Sequence, residues 1–328
     1  MPEPVVVQVL RAQKAGLLEQ EQGQMAEMAR KWLEVERGLD GQISALALEI
    51  QGIRERGEAV SEARLMRMER YQKLLDQAER ETGRYSSYAD DLITKRQGEM
   101  ALEGIQNASE ALRASGVTGR FDILPANAIE AMIGMAGNGS PLRSLLKESF
   151  PDAVEGLTQT LIDAIAQGLN PRDTARLMRD GFGMGLDRAL NIARTEQLRA
   201  YRESNRMQYQ ESGLVSGYKR LAAHDNRTCA GCLFSEGDLY ELDQAFEEHP
   251  SGRCTLVPVV IGMPAIEWEN GQTWFLAQNE DTQEEILGAG YFEAWSDGAF
   301  GLGEMVNREW DEEWGGMVVP KGLRELVG

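Results

Sequence analysis

Apolar side chains recur through the first third of the chain at gaps of three and four. From Leu17 to about Ile53 they fall at Leu18, Met25, Met28, Trp32, Val35, Leu39, Ile43, Leu46, Ile50 and Ile53. This is a helical stripe in heptad register, with one stutter between Leu39 and Ile43. Gly57 stops the run, and Ser61 offers an N-cap for the next helix. A second stripe follows at Leu65, Met68, Leu75, Ala78, Tyr85, Ala89 and Leu92, fading into QNASEALRASG at 106–116. Two long stripes around a short polar break predict an extended helical hairpin arm over residues 1–116, a spacer or a self-association element. Its scattered glycines argue against a straight rod.

Gly116 to Arg120 reads as a linker. Shorter helical segments follow, and Ser140-Pro141 and Asn170-Pro171 each place a capping residue before a proline suited to the first turn. Asp152 to Gln167 carries Val154, Leu157, Leu161, Ile162 and Ile165 at helical spacing, with Gly168 as a stop. One further helix is predicted from Pro171 and another from about Met184 to Glu211. Residues 117–217 are therefore expected to form a compact helical domain.

After Gly217 the texture changes. Short apolar runs alternate with turn residues in TCAGCLFSEGDLYEL and RCTLVPVVIG, which predicts small strands or ribbons around the cysteines. Beyond them lies a tail rich in aromatic residues, with Trp268, Trp274, Trp295, Trp310 and Trp314. Residues 218–328 are thus expected to form a Cys/His ribbon plus an acidic tail. The fold class is mainly α with a small α+β C-terminal domain.

Composition narrows the function. A chain of 328 residues that is 42% apolar has material for two or three folding units. No apolar run approaches the roughly 18–20 residues that span a bilayer, and MPEPVVVQVL lacks the basic start and apolar core of a signal peptide. Charge is uneven. Residues 221–328 carry 5 basic and 21 acidic side chains, against 29 and 32 in residues 1–220. A phosphate-gripping surface needs clustered Lys and Arg, so the last third is a poor nucleic-acid binder. It suits a solvated acidic face, or docking onto a basic partner.

All 3 cysteines fall close together, as Cys229, Cys232 and Cys254, and His249, one of only 2 histidines, lies between them. An odd, small number argues against a disulfide framework and for a reducing compartment. The spacing Cys229-x2-Cys232-x16-His249-x4-Cys254 offers the thiolate and imidazole donors that zinc prefers in a closed structural site. The plain alternative is a set of buried thiols without metal. A redox CxxC would need a thioredoxin-like βαβ pattern, which is missing. Gly231, Pro250 and Gly252 are read as the turn residues. Asp225 and Arg227 are expected to fix the loop entering the knuckle through backbone hydrogen bonds and an ion pair, with Arg253 in the same supporting shell. His224 reads as a surface or loop histidine, and Arg194 and Glu196 as partners of neighbouring elements.

The segments HDNRTCAGCLFSEGDLYE at 224–241 and HPSGRCTLVPVV at 249–260 resemble the head-morphogenesis family of tailed phages, the Mu F-like minor head proteins. IARTE at 192–196 and EEILGAGYFEAWSDGAFGLGEMV at 284–306 resemble further family elements, so the likeness covers about 150–328. Gly252 stands where the family commonly has a cysteine. The resemblance implies a structural minor head protein of the virion, made in the host cytoplasm and located inside the head near the portal vertex. It would act in head assembly and in DNA packaging or delivery. Its implied partners are the portal protein and the major capsid or scaffold protein, with self-association, weak or indirect DNA contact and no membrane. No catalytic residue is assigned. The competing functions are a metal-dependent HNH-type nuclease and a host-side interaction protein with a structural zinc site. The nuclease would need a second catalytic histidine set, and only His224 is left once His249 serves the metal.

Overall fold

The structure, a computed structural model, describes residues 2–118 and 126–328. Helices dominate, and the few strands are antiparallel and lie in the C-terminal region. In chain order the elements are α1 (Val5–Glu55), α2 (Glu62–Leu65), α3 (Glu69–Ala114), α4 (Ala126–Glu130), α5 (Leu142–Ser149), α6 (Pro151–Ala166) and α7 (Pro171–Ser212). Then follow β1 (Val215–Leu221), α8 (Ala230–Phe234), β2 (Leu239–Glu241) and β3 (Thr255–Val260). Helices α9 (Gly271–Leu276), α10 (Glu280–Leu287) and α11 (Ala289–Ser296) lead into β4 (Val306–Asp311), β5 (Gly315–Pro320) and α12 (Leu323–Val327).

The two long stripes are two long helices, α1 and α3, but the buried positions are shifted at three points. Leu17, Leu74 and Ile93 are buried, whereas Leu18, Leu75 and Leu92 are only partly covered. At each point two large apolar residues are adjacent, and the 3.6-residue turn drifts against a seven-residue repeat, so the pattern alone cannot choose between them. Gly57 ends α1 with a left-handed φ of 75°, and Ser61 Oγ accepts from the Arg64 amide as the expected cap. That cap opens only the single turn of α2. Of the expected linker, residues 119 and 120 lie outside the described residues.

Two further expectations change, and one holds. Pro141 stands at the N-cap itself, with α5 starting one residue later. Asn170 does cap α7, its Oδ1 accepting from the Asp173 amide at 3.0 Å. The two helices expected after Pro171 are one, the 42-residue α7. Its Gly181 answers a packing need rather than a helix end. An added Cβ there would lie 2.5 Å from the Gly156 carbonyl oxygen, and one on Gly156 would lie 2.4 Å from the Gly181 oxygen. The backbones of α6 and α7 therefore meet where no side chain fits.

The chain forms two compact units, one of Met1–Gln20, Lys95–Gly139 and Thr195–Gly328, the other of Glu21–Thr94 and Ser140–Arg194. The second unit is all helical. Its core centres on buried Trp32, edge-on to Tyr85 at 4.9 Å and stacked on Phe182 at 4.9 Å and Phe150 at 6.0 Å. Such pairs add to the gain from area burial. Arg194 pairs with Glu21 in this unit.

The first unit carries a three-stranded antiparallel sheet in the order β2-β1-β3, with Tyr218 opposite both Tyr240 and Pro258. Val6, Val7 and Leu10 of α1 pack with Ala111, Leu221 and Val257. Ala108, Leu112 and Tyr209 pack with Tyr218, Tyr240 and Leu256. Because β1 is buried on both faces, its sequence shows no clean alternation. A third cluster joins Cys232, Cys254 and Leu233 to Phe275, Leu287, Phe300 and Met305 of the C-terminal helices and turns.

Candidate metal centre

The cysteine pair does not lie on a ribbon. Cys229 is the N-cap of α8, and its Sγ accepts from the Cys232 amide at 3.3 Å. Gly231 lies inside this helix because α8 packs onto β5, where an added Cβ would come within 2.5 Å of the Val319 carbonyl carbon. His249 and Glu248 lie on the loop between β2 and β3. The Glu248 amide donates to the Gly316 oxygen at 3.1 Å, which ties that loop to β5. The left-handed position of the loop is Ser251, with φ 60°, and its amide donates to Thr195 Oγ1 at 2.9 Å. Cys254 immediately precedes β3.

These placements bring donor atoms together. Cys229 Sγ lies 3.1 Å from His249 Nε2, and Cys232 Sγ lies 3.1 Å from Glu248 Oε1. Cys229, Cys232 and His249 form one group whose ligand atoms are all within 4.8 Å of one another, and Cys232, Glu248 and Cys254 form a second. Cys232 belongs to both. Thiolates around a tetrahedral zinc stand about 3.8 Å apart, given bonds of about 2.3 Å, so these spacings suit an ion with small adjustments. His249 is oriented for the task. Its Nδ1 faces the Pro250 carbonyl oxygen at 2.9 Å, and since a carbonyl only accepts, the proton is on Nδ1 and the Nε2 lone pair faces Cys229. The cluster could therefore hold a metal ion.

Glu248, Arg220, Arg202 and Lys14 are the site residues that sequence reasoning missed. Arg220 and Glu248 are 0% and 2% exposed at the side chain and pair at 2.9 Å. Arg220 also donates to Tyr240 Oη at 3.1 Å and to the Glu247 oxygen, and it lies over the Phe246 ring at 4.3 Å. Burial pushes the Glu248 carboxyl up, but the charges of Arg220 and Arg202 outweigh it and hold the group at about 2. Arg202 donates to the Gly252 oxygen at 3.1 Å. Lys14, on α1, is only 6% exposed, its Nζ has no hydrogen-bond partner among the described residues, and burial lowers it to about 8. A glutamate beside His249 and an arginine within an apolar strand were the only signals available, and neither has a distinctive spacing.

The supporting residues are partly reassigned. Asp225 accepts from the Arg227 amide at 3.0 Å and from Thr228 Oγ1 at 2.9 Å. Its ion-pair partner is Arg253, which grips both carboxylate oxygens at 2.6 Å, while Arg227 is exposed and contributes its backbone. Burial raises the Asp225 carboxyl, yet the Arg253 bonds bring it down to about 2. His224 lies in the loop between β1 and α8, as expected, but it is turned inward rather than to the surface. Its ring bonds to Glu236, stacks on Trp274 at 5.1 Å and faces Arg11 at 3.2 Å. Glu196 accepts from the Gly137 amide and from Arg199, as its helical position suggested.

Residues 155–257, just under a third of the chain, match the family model described as Phage Mu protein F like protein. The matched stretch includes Cys229, Cys232, Glu248, His249 and Cys254. No curated protein and no solved structure matches the chain.

Proposed function

We propose, from the match of residues 155–257 to the Mu F-like family, that this chain is a phage head morphogenesis protein, a structural minor head protein acting at the portal vertex. The family match carries this reading, and its virion setting follows from the family. The protein acts in head assembly and in DNA packaging or delivery. Cys229, Cys232, His249 and Cys254 hold a structural zinc ion, which staples α8 to the loop before β3 without taking part in chemistry. No helix among the described residues is long and apolar enough to cross a membrane.

The partner surface is protein rather than DNA. Residues 221–328 carry 21 acidic side chains against 5 basic ones, so packaged DNA repels this region. Three of its tryptophans are already used internally. Trp268 donates to Glu236, Trp274 stacks on His224 and Trp295 is edge-on to Phe275. Trp310 on β4 is 78% exposed, on the rim of a cleft of about 540 Å³ that Phe246, Trp314 and Met132 also line. An exposed aromatic beside a cleft makes an effective anchor for a partner. The arginines near the α1–α3 turn favour weak DNA contact, since Arg56 and Arg64 pair with Glu58 and Arg70 pairs with Glu49.

Quantitative mass spectrometry of purified particles tests this proposal. The chain should be present in few copies relative to the major shell protein, and Trp310→Ala should reduce its incorporation several-fold without changing its fold. Absence from particles, or abundance equal to the shell protein, contradicts it.

A further inference from the structure

We infer that Glu248 is a direct ligand of the metal, its carboxylate filling the space that Gly252 leaves open. The inference rests on the zinc reading above and adds a donor to it.

The carboxylate is split between two tasks. Oε2 is fixed by Arg220 at 2.9 Å. Oε1 turns inward, 3.1 Å from Cys232 Sγ and 3.7 Å from His249 Nε2. A Cβ added to Gly252 would lie 2.0 Å from Oε1 and 2.3 Å from the Cδ and Cγ of Glu248. The glutamate thus occupies the volume that any side chain at 252 would need, and it does so from inside the protein. A glycine here leaves the carboxylate room to enter the cluster.

Electrostatics favours the same assignment. Without an ion the Cys232 thiol donates to this carboxylate; once metal binding removes the thiol protons, thiolate and carboxylate repel unless the cation stands between them. A zinc ion held by three thiolates, one neutral imidazole and a carboxylate, five donors in all, still carries net negative charge, and buried negative charge needs compensation. Lys14, Arg202 and Arg220 supply it. Cys254 and Glu248 act on Lys14 Nζ as anions would, opposed by Arg253 and Arg11, and it has no hydrogen-bond partner among the described residues. With the thiols protonated, the one carboxylate of Glu248 faces Lys14, Arg202 and Arg220 together, whereas thiolates around a metal add the negative charge these cations lack. Mixed sulfur, nitrogen and oxygen donors are all within zinc's range.

The intact chain, loaded with zinc, is examined by X-ray absorption and by competition titration. The wild type should show two nitrogen or oxygen neighbours beside its sulfurs, one from His249 and one from Glu248. Glu248→Gln keeps an acceptor for Arg220 and should still fold, but it should weaken zinc binding more than about 100-fold, beyond the roughly 10–100-fold loss of an outer-shell partner. Glu248→Ala combined with Gly252→Cys should recover most of the affinity and exchange one light neighbour for a sulfur. A wild-type shell with a single light neighbour, together with Glu248→Gln binding within tenfold of wild type, overturns this inference and leaves the zinc reading intact. A wild-type chain that binds no zinc overturns both.

Discussion

Replacing Arg220 with leucine is expected to cost about 3–5 kcal/mol of stability, because removing one partner of a buried pair strands the other charge. Arg220 and Glu248 are both essentially inaccessible to solvent. The substitution also abandons the Tyr240 hydroxyl and the Phe246 ring face. The loss measures a stranded carboxylate rather than the worth of the pair, so in chelator, where no ligand is lost, Arg220→Leu with Glu248→Leu should recover much of it. Urea unfolding of the single and double variants reads both quantities. A single-variant loss below about 1 kcal/mol would contradict the buried-pair assignment. The pH signature has a definite sign. Glu248 is held at about 2 in the folded protein, below the roughly 4.3 of an unfolded glutamate. Its contribution is therefore complete above about 4.3, and it disappears as pH falls toward 2.

Stripping the metal should have an effect of similar size. At free zinc a thousandfold above Kd, binding stabilises the folded state by about 4.1 kcal/mol, and a chelator should remove that amount. Cys232→Ser should do the same, because Cys232 belongs to both donor groups. Binding must also displace thiol protons. The hydrogen bond with Cys229 together with burial pushes the Cys232 thiol up, and the bond with Cys232 together with burial does the same to Cys254. Zinc affinity should therefore fall as pH falls, by roughly tenfold per pH unit for each proton displaced. Titrations at pH 6.5 and 7.5 test this, and equal affinities at the two values would exclude thiols as the ligands.

The helical stripes were readable because burial on one face of a long helix repeats regularly over many turns. Where two large apolar residues are adjacent, as at Leu17 and Leu18, only the tertiary partners Met100, Leu198 and Tyr201 choose between them. The continuity of α7 was hidden by its glycines, which look like stops in sequence but serve the close approach to α6. Cys229, Cys232, His249 and Cys254 were legible because cysteine and histidine are scarce in this chain. Glu248 was not, since Glu247 is its neighbour and 53 acidic residues give no contrast. Arg220 was hidden for a different reason. Its strand is buried on both faces, so alternation could not show that its side chain points inward. The compact units are assembled from segments far apart in sequence, and linkers and composition shifts mark only contiguous boundaries.

The most direct test is the metal content of the intact chain, purified without chelators and measured by elemental analysis alongside protein concentration. Near one equivalent of zinc per chain is predicted, lowered by Cys232→Ser and lost in chelator together with thermal stability. Well under half an equivalent, with melting unchanged by chelator, would mean that the sulfurs, the imidazole and the carboxylate converge here as packing alone.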